Sequence, residues 1–370
     1  MPAALRPIRW PASTPEALRK ETPFNYAVGP DGNVPKGTSL IEGEWPGVRA
    51  GRQSGAAEAG PTGKLWVNAN GWRVQQEQAG NPEQRVWLDH GATGNRVLTP
   101  YDYLLAMAEA ETYGARWVVT EDAAGELPAL TQAARFFSEH EEWTDWATVA
   151  AAGVISDFQG PIRTLSQEVL NLAGRRTLPL HVITPQRAEQ QPALAPGVKA
   201  WLYLSMKEPS PALRAKLWSF VDSGGLLLSA SPLQTAKATG SSNGYQWFNR
   251  GKGRIGVPDQ KWSNPYALAA DLHLLLGREH DTVRLYNTTA VNVHYTASGD
   301  GRRGVVQLLQ YAGLRAEQNV TVALGRSWKK ARLYTLTAEK PEPLIVTESR
   351  FGADIPVPAL STYAAIELEA

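Results

Sequence analysis

Apolar and polar positions along the chain fall into three successive rhythms. Between residues 64 and 122 short apolar runs alternate with stretches of helical period. Lys64–Asn70 (KLWVNAN) reads as a strand, Gly71–Ala79 as a helix closed by a turn at Asn81-Pro82, and Gln84–His90 (QRVWLDH) as a second strand. Thr99-Pro100 then opens a helix over Tyr101–Tyr113, with Thr as N-cap and Pro at the first helical position, and Gly114 ends it. Ala115–Thr120 is the next strand, and a helix is expected from Glu126 to Trp146. Strands that alternate with helices pair in parallel, and such sheets bind ligands beyond the carboxyl ends of their strands.

From Val149 the alternation restarts. Strands are expected at Ala152–Asp157, Leu178–Ile183, Val198–Leu204 and Leu226–Ala230, with helices at Ile162–Ala173, Pro211–Ser223 and Pro265–Leu276. This is a flavodoxin-like pattern. From Asp281 the period shortens to that of strands, seven of them ending with Tyr363–Leu368, as in an antiparallel β-sandwich. Before residue 64 the chain is rich in Pro and Gly, with a helical turn at Thr14–Lys20, short strands near Phe24–Val28 and Thr38–Pro46, and a glycine-rich loop over Gly51–Gly63. The expected fold is therefore α/β in three parts. A partial or degenerate (β/α) barrel-like domain (1–148) has up to five strands, short of the eight of a complete barrel. A flavodoxin-like domain (149–280) and a β-sandwich (281–370) follow.

Composition narrows the functional classes. Basic and acidic residues number 37 and 36, a net charge of +1, which gives no electrostatic case for nucleic acid or an anionic membrane. The absence of cysteine removes disulfides, thiolate nucleophiles and zinc–thiolate sites. No transmembrane run or signal-like apolar segment occurs, so a cytoplasmic protein, or a secreted or periplasmic one whose signal has been removed, is expected. Thirteen Trp and 12 Tyr against seven Phe favour flat faces with a polar tip, suited to stacking on sugars as well as to packing.

The chemistry gathers at the expected strand ends. Glu42, Glu44, Asp89 and Glu121 are the candidate catalytic acids. Asn68, Asn70, His90 and Asp122 are candidate ligands for sugar hydroxyls, and Trp45, Trp66 or Trp72 candidate stacking faces. Glycoside hydrolysis requires two carboxylates flanking the scissile bond. The bland reading of any one of these acids is a helix cap or a solvated loop. The six histidines have no metal spacing, with His273 and His280 seven apart, and neither a metal nor a cofactor is implied. Ser229 lacks the Gly-X-Ser-X-Gly elbow, and Gly251–Gly256 lacks the Gly-Lys-Ser/Thr ending of a phosphate loop and reads as a tight turn.

In its succession of parts the chain resembles the family 42 glycoside hydrolases (β-galactosidases) and related bacterial barrel hydrolases. The likeness rests on Tyr101–Tyr113, Arg116-Trp-Val-Val119, Arg135-Phe-Phe137 and Val154-Ile-Ser-Asp-Phe158, with Ser361–Glu369 resembling the last strand of their terminal modules. The resemblance implies a barrel running into an amidotransferase-like trimerisation domain and then a β domain, a carbohydrate substrate, and a homo-oligomer, dimer or trimer. That family places its acid/base Glu directly after Asn. No Asn-Glu dipeptide occurs in this chain, so no catalytic residue is carried over. Two functions stand at this point: a glycoside hydrolase with its acid pair at the strand ends, and a non-catalytic glycan-binding or assembly protein of the same architecture.

Overall fold

The computed structural model describes residues 5–10, 20–29, 31–49, 51–53, 56–58, 66–91, 97–234, 238–260, 262, 264–288, 290–313 and 317–370. The turn expected at Thr14–Lys20, apart from Lys20 itself, and much of the Gly51–Gly63 loop lie outside these residues.

The N-terminal part is built on parallel strands. β1 (Thr38–Glu42) is followed by β2 (Trp66–Asn68), α1 (Gly71–Gly80), β3 (Arg85–Asp89), α2 (Pro100–Thr112), β4 (Ala115–Trp117) and α3 (Leu127–Glu139). β1, β3 and β4 pair in parallel in that order. Beyond β4, Val119 bridges in parallel to Ile8, and Pro7–Ile8 pairs in parallel with Tyr26–Ala27, so the chain's first strand lies beside the end of β4. β2 departs from the sequence expectation. It pairs antiparallel with Gly47–Arg49 instead of joining the parallel sheet, so Asn68 and Asn70 belong to a ribbon inserted between β1 and α1. The physical reason lies in Asn70, whose side chain binds both backbone groups of Glu44 (N···Oδ1 2.8 Å, Nδ2···O 2.7 Å) and clamps the ribbon on itself.

α2 starts as its sequence dictates, with Pro100 in the first turn and the Thr99 backbone N–H bonded to Asp102 Oδ2 at 2.8 Å. It stops at Gly114, whose φ of +75° suits glycine. The helix is buried almost all round, including Glu109 and Glu111. The single helix expected over Glu126–Trp146 is broken into a 3₁₀ turn at Glu121–Glu126, α3, and a short helix at Glu142–Asp145.

The middle part is a seven-stranded sheet. Its elements are β5 (Ala152–Ser156), α4 (Arg163–Gly174), β6 (Leu180–Ile183), α5 (Pro185–Gln190), β7 (Ala200–Leu204), α6 (Pro211–Asp222), β8 (Leu226–Ser229), β9 (Tyr245–Arg250), β10 (Gly253–Pro258) and α7 (Pro265–Leu276). β6, β5, β7, β8 and β10 are parallel neighbours in that order, the 2-1-3-4-5 order of doubly wound sheets, and β9 with Gly240–Ser242 extends the edge antiparallel. Separate apolar clusters lie on its two faces, one under α4 and α7 and one under α5 and α6.

The C-terminal part comprises β11 (Val283–Tyr286), β12 (Val291–Ala297), β13 (Arg303–Gln310), β14 (Glu317–Leu324), β15 (Lys330–Thr335), β16 (Gly352–Leu360) and β17 (Tyr363–Glu369), with short strands at Glu342–Leu344 and Thr347–Ser349. They form two antiparallel sheets over one shared core. Ala147–Thr148 pairs with β12 and so ties the end of the first part to the last.

Candidate functional site

The site follows from side-chain alternation along β1 and β3. Ile41 and Leu88 pack with Trp117 into the large core beneath the helices. Leu40 and Trp87, one residue earlier, face the other way and pack with Val28, Val118 and Tyr26. Glu42 and Asp89 lie two residues beyond Leu40 and Trp87, on this second face, and the two acids are register partners on adjacent parallel strands. Such strands run about 4.8 Å apart. Trp87, with no exposed surface, forms the floor below the acids, and its ring meets Tyr26 edge-on at 5.0 Å.

Arg9, directly after the first strand, reaches across to this pair. Its Nη2 lies 2.6 Å from Asp89 Oδ2, and Nη1 donates to the Gly29 carbonyl at 2.9 Å. The other Asp89 oxygen accepts the Gly91 N–H at 3.1 Å. Asp89 is thus fixed at both oxygens. Among the described residues Glu42 has no hydrogen-bond or ion-pair partner, and it is exposed. Glu121 and Asp122 stand exposed on the 3₁₀ turn after Val119. The structure therefore gathers Arg9, Glu42 and Asp89, with Glu121 and Asp122 at the end of the next strand over.

The other candidates lie apart from that group. Glu44 pairs with Arg73 at 3.3 Å in solvent. Trp45 (4% exposed) packs at 5.1–5.8 Å against His90, Tyr103 and Trp117, and His90 is 5% exposed. Both belong to the helix-side core, because His90 alternates away from Asp89. Neither presents a ring to solvent for stacking or hydroxyl binding. Asn68 Nδ2 holds the Trp45 carbonyl at 2.9 Å. Asn70 is fully buried, with its N–H and Nδ2 on Glu109 at 2.7 and 2.8 Å. Trp72 is half-buried, with the Arg73 guanidinium 4.5 Å from its ring and the middle part's core against it. The Trp66 side chain lies outside what is described.

Two groups escaped the sequence reading. Arg9 is 80 residues from Asp89, and no local pattern joins them. Glu109 is a buried carboxyl that accepts Tyr311 Oη at 2.6 Å and both nitrogens of Asn70. Burial pushes its pKa up, against the opposing pull of those hydrogen bonds. Its only sequence signal was a glutamate within an alanine-rich helix. Burial, with the charge of Asp122, likewise raises the Tyr103 phenol, whose Oη donates to the Asp122 carbonyl at 3.3 Å.

Among the described residues no group of three or more His, Asp or Glu is placed to hold a metal ion, and no helix is long and apolar enough to cross a membrane. Clefts of about 430 and 630 Å³ lie at the amino ends of the middle strands, around Lys199 and Gly224-Gly225, away from the acid pair.

No known protein-family profile matches the chain. No curated protein matches it by sequence. Solved structures do match. One is alpha-L-fucosidase isoenzyme 2 from Paenibacillus thiaminolyticus, at 13% identity and TM-score 0.56 over 80% of this chain and 62% of that one. A second is Gan42B, a GH42 beta-galactosidase from G. stearothermophilus, at 10% identity and TM-score 0.55 over 81% and 56%. A third is a rhamnosidase from Novosphingobium sp. PP1Y, at 10% identity and TM-score 0.56 over 89% and 34%. The chain thus spans 62% or less of each of these relatives. At these identities the likeness is one of fold, and the fold is glycoside hydrolase-like and mixed α/β.

Proposed function

We propose that this chain is a glycoside hydrolase whose acid pair is Glu42 and Asp89. The observation that carries the reading is their register: two carboxylates side by side at the carboxyl ends of adjacent parallel strands, on the face away from the helices. A backbone spacing of about 4.8 Å is close to the carboxyl separation of about 5–5.5 Å that retaining glycosidases use. Asp89, held by Arg9 and the Gly91 N–H, is the anionic partner that meets the developing positive charge at the sugar carbon. Glu42, unencumbered, is the proton donor to the leaving oxygen. Glu121 and Asp122 take substrate hydroxyls from the neighbouring strand end.

The same reading treats residues 1–148 as a degenerate barrel whose sheet Pro7–Ile8 extends through its bridge to Val119, 149–280 as an amidotransferase-like domain, and 281–370 as a β-sandwich. The protein then assembles as a dimer or trimer. Two observations favour a second reading, a glycan-binding protein without catalysis: Trp87 fills the space under the acids, and Arg9 already pairs with Asp89.

Hydrolysis of a panel of aryl glycosides by the wild type, Glu42→Gln and Asp89→Asn decides between them. The hydrolase reading expects wild-type turnover and a loss of roughly 10²- to 10⁴-fold in each variant. Absence of turnover on every substrate, or full activity in both variants, would sink it.

A further inference from the structure

A cleft of about 320 Å³ opens where β10 ends, well away from the acid pair. It is lined by Tyr245, Asp259, Gln260, Trp262, Asn264 and Asp271, among others, and none of the described residues lining it is Lys, Arg or His. Tyr245, only 2% exposed, directs its hydroxyl to Asp271 Oδ2 at 3.0 Å. That bond leaves Asp271 Oδ1 without a hydrogen-bond partner among the described residues. Asn264 uses Oδ1 to cap α7, accepting from the backbone N–H groups of Tyr266 and Ala267 at 3.0 and 3.2 Å, and its Nδ2 donors remain available. The Gln260 amide makes no hydrogen bond among the described residues. Asp259 accepts a hydrogen bond from Ser241 at 3.2 Å. Trp262 is half-buried against the sheet's core beside this polar rim.

An indole face beside convergent carboxylate and amide groups matches a pyranose, which has an apolar ring face and hydroxyls that both donate and accept. The two carboxylates disfavour an anionic ligand. The position fits as well, because doubly wound sheets bind ligands beyond the carboxyl ends of their strands. We propose that this cleft is a second carbohydrate subsite, which takes one neutral sugar residue of an oligosaccharide against Trp262, with Asp271 and Asn264 holding its hydroxyls. The inference rests on the carbohydrate reading above and gives the middle part a share in it.

The test is calorimetric titration of the full chain with neutral galacto-, gluco- and fuco-oligosaccharides, and with oligogalacturonate as the anionic contrast. Ligand cleavage is suppressed by working in Glu42→Gln, into which Trp262→Ala and Asp271→Asn are introduced. The expected result is neutral-sugar binding that each added substitution weakens by roughly tenfold or more, with no binding of the uronate. Binding unchanged by either substitution, preference for the uronate, or no neutral-sugar binding would overturn the subsite. If Trp262→Ala fails to fold by circular dichroism, Asp271→Asn decides. Wild-type turnover on aryl glycosides, measured alongside, separates the two proposals: turnover without Trp262-dependent binding removes the subsite alone, and such binding without turnover removes the hydrolase alone.

Discussion

His294, in the middle of β12, shows how burial at a single residue becomes a property of the whole protein. Its imidazole lies 4.9 Å from the Tyr113 ring, and burial pushes its pKa down to about 4 from an ordinary 6.5. The sign follows from linkage. A depressed pKa means that the unfolded chain binds the proton first, so the contribution is intact above pH 6.5 and is lost as pH falls toward 4. At 1.36 kcal/mol per pKa unit the loss is on the order of 3 kcal/mol. Urea unfolding at pH 7 and pH 4.5 should therefore show a steeper acid loss in the wild type than in His294→Phe, which keeps a ring and removes the titration. Equal losses in both proteins would refute this account. At this scale the site was only half legible. Glu42 and Asp89 stand out in sequence as acids closing apolar runs, whereas Arg9, which fixes Asp89, is placed by the parallel bridge between Ile8 and Val119.

Elements were legible where one period dominated a run of useful length. α2, α6 and α7 carry Pro in their first turns, and β5, β7 and β8 are buried throughout and apolar but for a closing Ser156 and Ser229, as befits strands covered on both faces. β16 was missed because Pro356 and Pro358 argue against a strand. Ala353, Ile355 and Val357 nonetheless alternate inward. Its pairing with β14 skips Asn319 and Pro358, and Thr347–Ser349 covers only its first residues, so both prolines fall where the outer side of the strand has no partner. The strand expected at Lys64–Asn70 does form, over Trp66–Asn68, but outside the parallel sheet: these three residues pair antiparallel with Gly47–Arg49 in a local ribbon. In β5 the apolar run hides one strict requirement. A Cβ on Gly153 would stand 2.3 Å from the Trp201 ring, and Trp201 has no exposed surface into which to move. Gly153→Ala should cost about 1–3 kcal/mol by overpacking. Thermal unfolding reads this directly, and a variant as stable as the wild type would mean that Trp201 has room to shift.

At the scale of the molecule, the first and last parts are joined more intimately than their order along the chain suggests. Ala147–Thr148 extends the sheet of β12, Thr296 Oγ1 donates to the Trp143 carbonyl at 3.2 Å, and Tyr101 Oη bonds the Gln310 carbonyl. The deepest link is Tyr311 to Glu109, 202 positions apart and both buried. Tyr311→Phe removes the donor and keeps the ring, leaving Glu109 Oε1 with the Asn70 N–H, at a cost of about 1–3 kcal/mol for a lost hydrogen bond to a buried carboxyl. The cost must depend on pH, and in the direction opposite to His294. Burial raises the Glu109 pKa in the folded state and the Tyr311 hydrogen bond lowers it, so the variant raises it further. A raised acid favours folding fully below its ordinary value of 4.5, and that contribution is lost as pH climbs through the folded pKa. The stability gap between wild type and Tyr311→Phe should therefore be small at pH 4.5 and wider at pH 8, as read from urea midpoints. A gap that stays constant across this range would show that the hydroxyl serves packing alone and that Glu109 does not bear the charge linking the two parts.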